Sequence, residues 1–370
     1  EILIGLVGSE MCIRDRYELK NGFVSAPKGC YIQMEKKAAR AILDNIKSSF
    51  SMKSGLISRI STFEEDSGLP LTLANFADYY RLDIRTIYAK NSFSQLCVAA
   101  GVKEDFDEPV ETALTKAFGR LAAIDSRRWI RFLLGILPRL DDVDFGKLSP
   151  IEQRMLQMFY ITIWGKAAED WGSDEVLDNL YSLSDSPVML AELMELLQYK
   201  YDLIDFIDAP VDLGFDCPLD LHCTYTRDQL LVALDFMNPN SVREGVKWLP
   251  DKQVDVLFVT LNKSDKEYSP TTMYNDYSIN EELFHWQSQS TTTDTGSVGQ
   301  RYIHHWERGS KVLLFVREFK SDLVGAAPYT FLGTANYVKH TGNRPMNITW
   351  KLDHPIPAKY LKKTQKLVVG

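Results

Sequence analysis

The sequence lacks the patterns that mark an ATP-driven motor or the commonest hydrolytic active sites. It contains no GxxxxGK[ST] phosphate loop, no GxSxG nucleophile elbow and no HExxH zinc motif. It also has no apolar run of the roughly 20 residues that a membrane-spanning helix needs. These absences exclude ATP binding through the usual phosphate loop, and no catalytic residue and no membrane partner are expected in this chain.

Cysteine is scarce as well. The 370 residues include 5 cysteines, and none of them forms a CxxC pair. This usage is typical of a reduced, cytoplasmic protein with free thiols. Cys217, His222 and Cys223 are close in sequence, but a fourth ligand and the usual spacing are missing. No metal ion and no resident cofactor are therefore expected.

The charge is distributed unevenly along an acidic chain. The net charge is -8, yet residues 251–370 contain 15 Lys and Arg against 12 Asp and Glu, a net charge of +3. Residues 1–250 then have a net charge of -11, and five of the six histidines lie after them. Phosphate binding depends on local clusters of Lys and Arg, so this small excess is only a first indication of a nucleic-acid partner.

The first sixteen residues, EILIGLVGSEMCIRDR, do not look like part of a folded domain. They resemble a translated sequencing-adapter read-through, and such a segment is excluded from reasoning about the fold. On this interpretation the natural reading frame continues upstream of Tyr17. The alternative is a genuine short N-terminal strand.

Helical signals extend over residues 17–208. Thr72 is placed to cap a helix, and Ser92 with Gln95 forms a capping-box pattern. The clearest helix start combines Ser149, Pro150 at the first helical position and Glu152 at the third. The region is therefore predicted to be all-α.

The hydrophobic period changes in the last third of the chain. Residues 209–223 are rich in Pro, Asp and Gly and are interpreted as a linker. Residues 346–352 alternate between apolar and polar, which is typical of a half-buried strand, while residues 254–261 and 312–316 are short apolar runs. The prediction is an α+β chain whose residues 224–370 form a β-rich module resembling a barrel or a sandwich.

A dense polar and aromatic stretch runs from Tyr268 to Tyr302. Glutamine can bond base edges, arginine can bond guanine or phosphate, and aromatic rings can stack on unpaired bases. The alternative is an ordinary strand at residues 283–289 with Phe284 and Trp286 facing the core. The candidate nucleic-acid-binding residues are Lys263, Thr271, Thr272, Tyr274, His285, Trp286, Gln287, Ser288, Gln289, Arg301 and Tyr302.

Two smaller patterns offer other chemistry. Arg127, Arg128 and Arg131 form a basic cluster that is either a solvated helix face or a phosphate contact. Glu318 and Lys320 follow a predicted strand, with Asp294 upstream, and metal nucleases use carboxylates and a lysine at comparable spacing. They could equally be solvated charges at the end of a strand.

Two parts of the chain resemble segments of bacterial DEAD/DEAH-type superfamily-two helicases. Residues 27–35, followed by the helical residues 38–46, look like the segment just after the motor core. The tail is similar to the uncharacterised C-terminal domain of the same helicases, through the ordered motifs at residues 257–263, 269–274, 285–290, 313–317, 329–333, 344–346 and 348–352.

The resemblance implies an accessory region of a DNA helicase. Members often carry a phospholipase-D-like nuclease domain ahead of the motor, which suggests restriction or phage defence. Neither the nuclease domain nor the motor is present in these residues, so the resemblance assigns ATP and Mg²⁺ to the motor. The expected partners of this chain are DNA and the motor domains in cis. The alternatives are a structural and regulatory module that docks on the helicase core, and a metal-dependent nuclease that uses Glu318 and Lys320.

Overall fold

A computed structural model describes residues 53–166, 174–206, 209–262 and 276–364. The chain divides into two compact units, Glu1–Asp107 and Glu108–Gly370. The second unit contains both helices and the β-rich part, so the division between units falls earlier than the predicted change from helices to strands.

The described part of the first unit is helical. Two of its helices begin where the sequence predicts, because the Thr72 hydroxyl accepts from Asn75 N at 3.1 Å and Ser92 with Gln95 forms a complete capping box. Phe63 and Phe76 are fully buried with ring centroids 5.6 Å apart. The helices are α1 (Lys53–Ser67), α2 (Leu73–Tyr79), α3 (Ile84–Ile87) and α4 (Phe93–Ala99).

The second unit begins with a helical layer. The start predicted at Ser149 is confirmed, since Ser149 and Glu152 cap each other's backbone N–H groups and Pro150 occupies the first position. None of the described helices is long and apolar enough to cross a bilayer. The helices of this unit are α5 (Glu111–Leu121), α6 (Arg127–Ile136), α7 (Pro150–Trp164), α8 (Asp174–Ser184), α9 (Pro187–Leu203), α10 (Arg227–Ala233), α11 (Ser297–Ile303) and α12 (Ala358–Thr364).

Eight of the described strands form one mixed sheet in the order β2-β3-β6-β9-β10-β5-β4, with β1 also paired to β9. Only β3 and β6 are parallel, and the other pairs are antiparallel. A separate hairpin joins β7 and β8. The strands are β1 (Thr224–Tyr225), β2 (Val246–Leu249), β3 (Val254–Thr260), β4 (Tyr277–Ser278), β5 (Leu283–Gln287), β6 (Lys311–Arg317), β7 (Ser321–Asp322), β8 (Gly325–Ala326), β9 (Tyr329–Thr341) and β10 (Asn347–Leu352).

The predicted α+β class is confirmed, but its finer description changes. Among the described strands, β2 and β4 are the two ends of a single sheet, whereas a barrel or a sandwich was expected. The chain leaves β3, forms β4, β5 and α11, and returns as β6 parallel to β3. Short apolar runs identify the central strands, but their order depends on contacts between distant residues that the local pattern does not encode.

The sheet buries one face around a cluster of aromatic residues. Ile348, Trp350 and Leu352 of β10 are at most 3% exposed, as the alternation in residues 346–352 predicts. Phe284 and Trp286 of β5 lie opposite Trp350 and Ile348 and belong to the same core. This half of the sheet therefore has its apolar side filled and its polar side turned away from the core.

Residues 209–223, interpreted from the sequence as a linker, pack into the second unit. Asp220 is fully buried, accepts a hydrogen bond from the Ser126 hydroxyl at 2.6 Å and pairs with Arg128 at 2.9 Å. His222 N donates to Phe331 O at 2.7 Å. The composition suggested a linker because Pro, Asp and Gly favour turns, but a turn-rich segment can also be held by buried polar contacts.

Candidate nucleic-acid interface

The polar side of strands β4, β5, β10 and β9 forms one face of the sheet, within which Thr349 of β10 is itself buried, at 9% exposed. His285 lies opposite Tyr277 on one side and Thr349 on the other, and Thr349 lies opposite Lys339. Directly opposed residues in an antiparallel pair point to the same face. We call this face the outer face. It includes Tyr277, His285, Gln287, Asn336, Lys339, Thr341, Asn347, Thr349 and Lys351, together with the apolar Leu283 opposite Lys351.

The centre of the outer face is an aromatic pair. The rings of Tyr277 and His285 are stacked with centroids 4.7 Å apart and planes inclined by 12°. Both residues are half-buried. A rigid, partly exposed aromatic pair provides a flat surface on which a base can stack.

Amides lie beside this pair. Gln287 Nε2 donates to Asn347 Oδ1 across the strands at 3.2 Å, and Gln287 N donates to Asp276 Oδ1 at 2.9 Å. These contacts fix the direction of the Gln287 side chain and of the end of β5. Oriented amide groups of this kind can bond base edges or sugar hydroxyls.

Two exposed lysines, Lys339 and Lys351, supply positive charge to the outer face. Lys339 follows a bulge in β9, because Thr349 pairs with Lys339 while Trp350 pairs with Tyr337, which leaves Val338 as the extra residue. The bulge places Lys339 in the row of Thr349 and His285, where its ammonium group can contact a phosphate.

A buried histidine supports this bulge from within. His305 is 3% exposed, and its Nε2 accepts from the backbone N–H of Tyr337 at 3.1 Å while its Nδ1 lies 3.1 Å from Ser310 O. The amide can only donate, so Nδ1 must carry the proton in the neutral ring. Burial lowers the pKa of His305, against the opposing effects of the Ser310 carbonyl and the carboxylates of Asp255 and Asp353.

We expect the chain to lose stability as the pH falls from about 6.5 to about 4. Burial, with a smaller effect of His354, lowers the pKa of His222 from 6.5 to about 4. Between these values the unfolded chain binds a proton that the folded chain does not, so protonation favours unfolding, and His305 acts in the same direction. Thermal midpoints measured from pH 7.5 to pH 4 test this expectation.

A His222→Asn variant is the matched comparison, because asparagine tolerates the positive φ of 63° at this position. Its midpoint should fall less steeply with acid than that of the unchanged chain. An equally steep fall in both proteins would show that His222 does not carry the effect.

Several of the predicted binding residues lie in the core instead. Trp286 is 4% exposed and packs against Tyr302, with ring centroids 5.5 Å apart, and Tyr302 is 1% exposed. Ser288 is fully buried, and its hydroxyl accepts from Met346 N at 2.9 Å. In this structure these three side chains organise the core beneath the outer face, and their atoms are not on its surface.

Two other predicted residues make contacts within the protein. Arg301 forms a bidentate ion pair with Asp255, with N–O distances of 2.7 and 2.9 Å, and its guanidinium lies 4.3 Å from the centre of the Trp248 ring. Gln289 Nε2 donates to Glu244 Oε2 at 2.5 Å. Arg301 thus anchors α11 to β3, and Gln289 lies beyond the end of β5.

Of the seven predicted residues that the structure describes, it places only His285 and Gln287 together on the outer face. Lys263, Thr271, Thr272 and Tyr274 lie outside the described residues. The prediction missed the contributions of Tyr277, Lys339, Asn347, Thr349 and Lys351. The strict alternation of residues 346–352 could have indicated the last three, because it assigns all the odd positions to the polar side of a strand.

The nuclease pattern does not form one cluster with Asp294. Asp294 lies by the end of β9, 3.9 Å from His340 Nε2, whereas Glu318 follows Val316, which pairs with Thr330 at the start of β9. The ten residue steps along β9 from Thr330 to His340 span roughly 30 Å. Among the described residues, no group of three or more His, Cys, Asp or Glu side chains lies close enough to hold a metal ion.

The comparison with known families concerns the part of the chain that contains the outer face. Residues 219–363 match the Domain of unknown function (DUF3427). This match is close to the predicted module of residues 224–370. No curated protein matches the chain. The match covers the sheet together with residues 219–223, which also contain the buried Asp220.

Proposed function

We propose that the outer face is a nucleic-acid-binding surface and that the chain is an accessory region of a DNA helicase. The observation that carries this proposal is the row of Tyr277, His285, Thr349 and Lys339 across four strands. It combines a stacked aromatic pair with a lysine that can contact a phosphate.

The resemblance of the tail motifs to helicase C-terminal regions supports the choice of DNA as the nucleic acid. In this role the chain has no motor activity and needs no cofactor, and it positions DNA for a motor in cis, in a cytoplasmic bacterial restriction or phage-defence system. The outer face is suited to this task because its side chains are supported from beneath by the packed core of Trp286, Trp350 and Tyr302.

Replacing His285 with Ala is expected to weaken DNA binding about tenfold. A single stacked or hydrogen-bonded base contributes about 1–3 kcal/mol, and the substitution removes one ring of the stacked pair. Fluorescence anisotropy of the full chain with a labelled 20-nucleotide DNA, single-stranded and as a duplex, measures the change.

His304→Ala is the matched control, because it removes an imidazole that lies outside the outer face and contacts Glu307. Its affinity should equal that of the unchanged chain. The proposal is wrong if the unchanged chain binds neither DNA, or if both histidine variants bind equally well. Absence of DNA binding together with capture of the helicase motor would favour the docking alternative.

A further inference from the structure

The basic cluster at the start of α6 separates into two parts in the structure. Arg128 pairs with the fully buried Asp220 at 2.9 Å and also donates to Cys217 O at 3.4 Å. This arginine therefore holds residues 217–220 against α6. Arg127 and Arg131 point elsewhere, one helical turn apart on a shared side of the helix.

Arg127 is held in place by groups that do not cancel its charge. Its guanidinium donates to Ile204 O at 2.9 Å and lies 4.2 Å from the centre of the Tyr201 ring. A carbonyl oxygen and an aromatic face orient a guanidinium but leave its full positive charge. The side chain is thus already ordered before any ligand binds.

Tyr201 of α9 and Arg131 of α6 lie beside Arg127. Hydrogen bonding from Arg127, together with the charges of Arg127 and Arg131, lowers the pKa of the Tyr201 hydroxyl against the opposing effect of burial. Arg131 is exposed. The neighbouring acidic side chain of Asp202 accepts from Gln198 Nε2 at 2.9 Å.

We propose that Arg127, Arg131 and Tyr201 form a second contact for a backbone phosphate of the nucleic acid. Guanidinium groups match the geometry of phosphate oxygens, and a phenol adds a further donor. This contact rests on the proposed function of the outer face. It would position the nucleic acid without reading its sequence, since phosphate contacts carry no base information.

The test is the salt dependence of DNA affinity in the full chain. Arg131→Ala should weaken binding several-fold at low salt and reduce the slope of log affinity against log salt by about 0.7–0.9, the contribution of one phosphate. Arg131→Lys keeps the charge and should retain most of the slope. Arg139→Ala is the control, because Arg139 is exposed and follows the same helix, and its substitution removes the same charge.

The outcomes separate this contact from the outer face. The second contact alone is overturned if Arg131→Ala and Arg139→Ala have the same slope of log affinity against log salt while His285→Ala still weakens DNA binding. Absence of DNA binding by the unchanged chain overturns both. Thermal melts identify a variant that loses DNA affinity only because it unfolds. If Arg131→Ala is such a variant, the slope of Arg131→Lys is compared with that of the unchanged chain instead.

Discussion

Replacing Arg301 with Ala is expected to lower the free energy of unfolding by about 3–5 kcal/mol. The carboxylate of Asp255 lies on β3 with a side chain only 2% exposed, and both of its oxygens bond to Arg301. Burial raises the pKa of Asp255, and the hydrogen bonds and charge of Arg301 oppose that shift. Without Arg301, a buried carboxylate must either remain unpaired or take up a proton, and each outcome costs stability.

Urea denaturation at pH 7 measures this effect. Arg308→Ala is the control, since Arg308 is exposed near the same helix and its loss should change stability by less than about 0.5 kcal/mol. Asp255→Asn in the Arg301→Ala background should recover part of the loss, because it removes the uncompensated charge. Equal stability of the Arg301→Ala and Arg308→Ala variants would contradict the structural role of the pair.

Arg128→Ala is expected to cost about 3 kcal/mol for the same physical reason. Asp220 is fully buried, and removal of Arg128 takes the guanidinium away from its carboxylate, to which the Ser126 hydroxyl is a neutral donor. The effect is placed at the lower end of the range because the Arg128 side chain is 25% exposed and the pair is partly screened.

The measurement is again urea denaturation, now with Arg139→Ala as the comparison. Residues 209–223 should also become accessible to protease in Arg128→Ala, since Asp220 ties them to α6. If Arg128→Ala is as stable and as protease-resistant as Arg139→Ala, this segment behaves as the linker that its composition suggests.

Local features of the fold were predictable because neighbouring residues determine them. The helix starts at Thr72, Ser92 and Ser149 each need only a capping side chain and a backbone N–H three residues later. The burial of the even-numbered residues between 346 and 352 followed from their alternation, whereas Thr349 at an odd position is buried as well. In both cases the decisive contacts lie within a few residues of each other.

The candidate site was only partly predictable because residue type does not reveal burial. Tryptophan and tyrosine serve equally well in a core and in a stacking surface, and the alternative in which Trp286 faces the core matches the structure. By residue type alone, Arg301 is a reasonable candidate for a phosphate contact, but in the structure it binds Asp255, which lies 46 residues away in the sequence. Such pairings depend on sheet order and helix placement, which a single sequence does not show.

The outer face itself depends on register. His285, Thr349 and Lys339 come together only because β5 and β9 pair with opposite edges of β10 and because β9 contains a bulge at Val338. A shift by one residue would turn these side chains into the core. The sequence indicated that β5 and β10 each have a polar side, but it did not indicate that the two strands are neighbours.

Photo-crosslinking tests the proposed nucleic-acid surface most directly. A DNA oligonucleotide containing 5-iododeoxyuridine is irradiated with the full chain, and the crosslinked peptides are identified by mass spectrometry. Crosslinks are expected on peptides of β4, β5 and β10, centred on Tyr277 and His285, and they should decrease in His285→Ala but not in His304→Ala. Crosslinks confined to other described parts of the chain, and insensitive to His285→Ala, would contradict the assignment of the outer face.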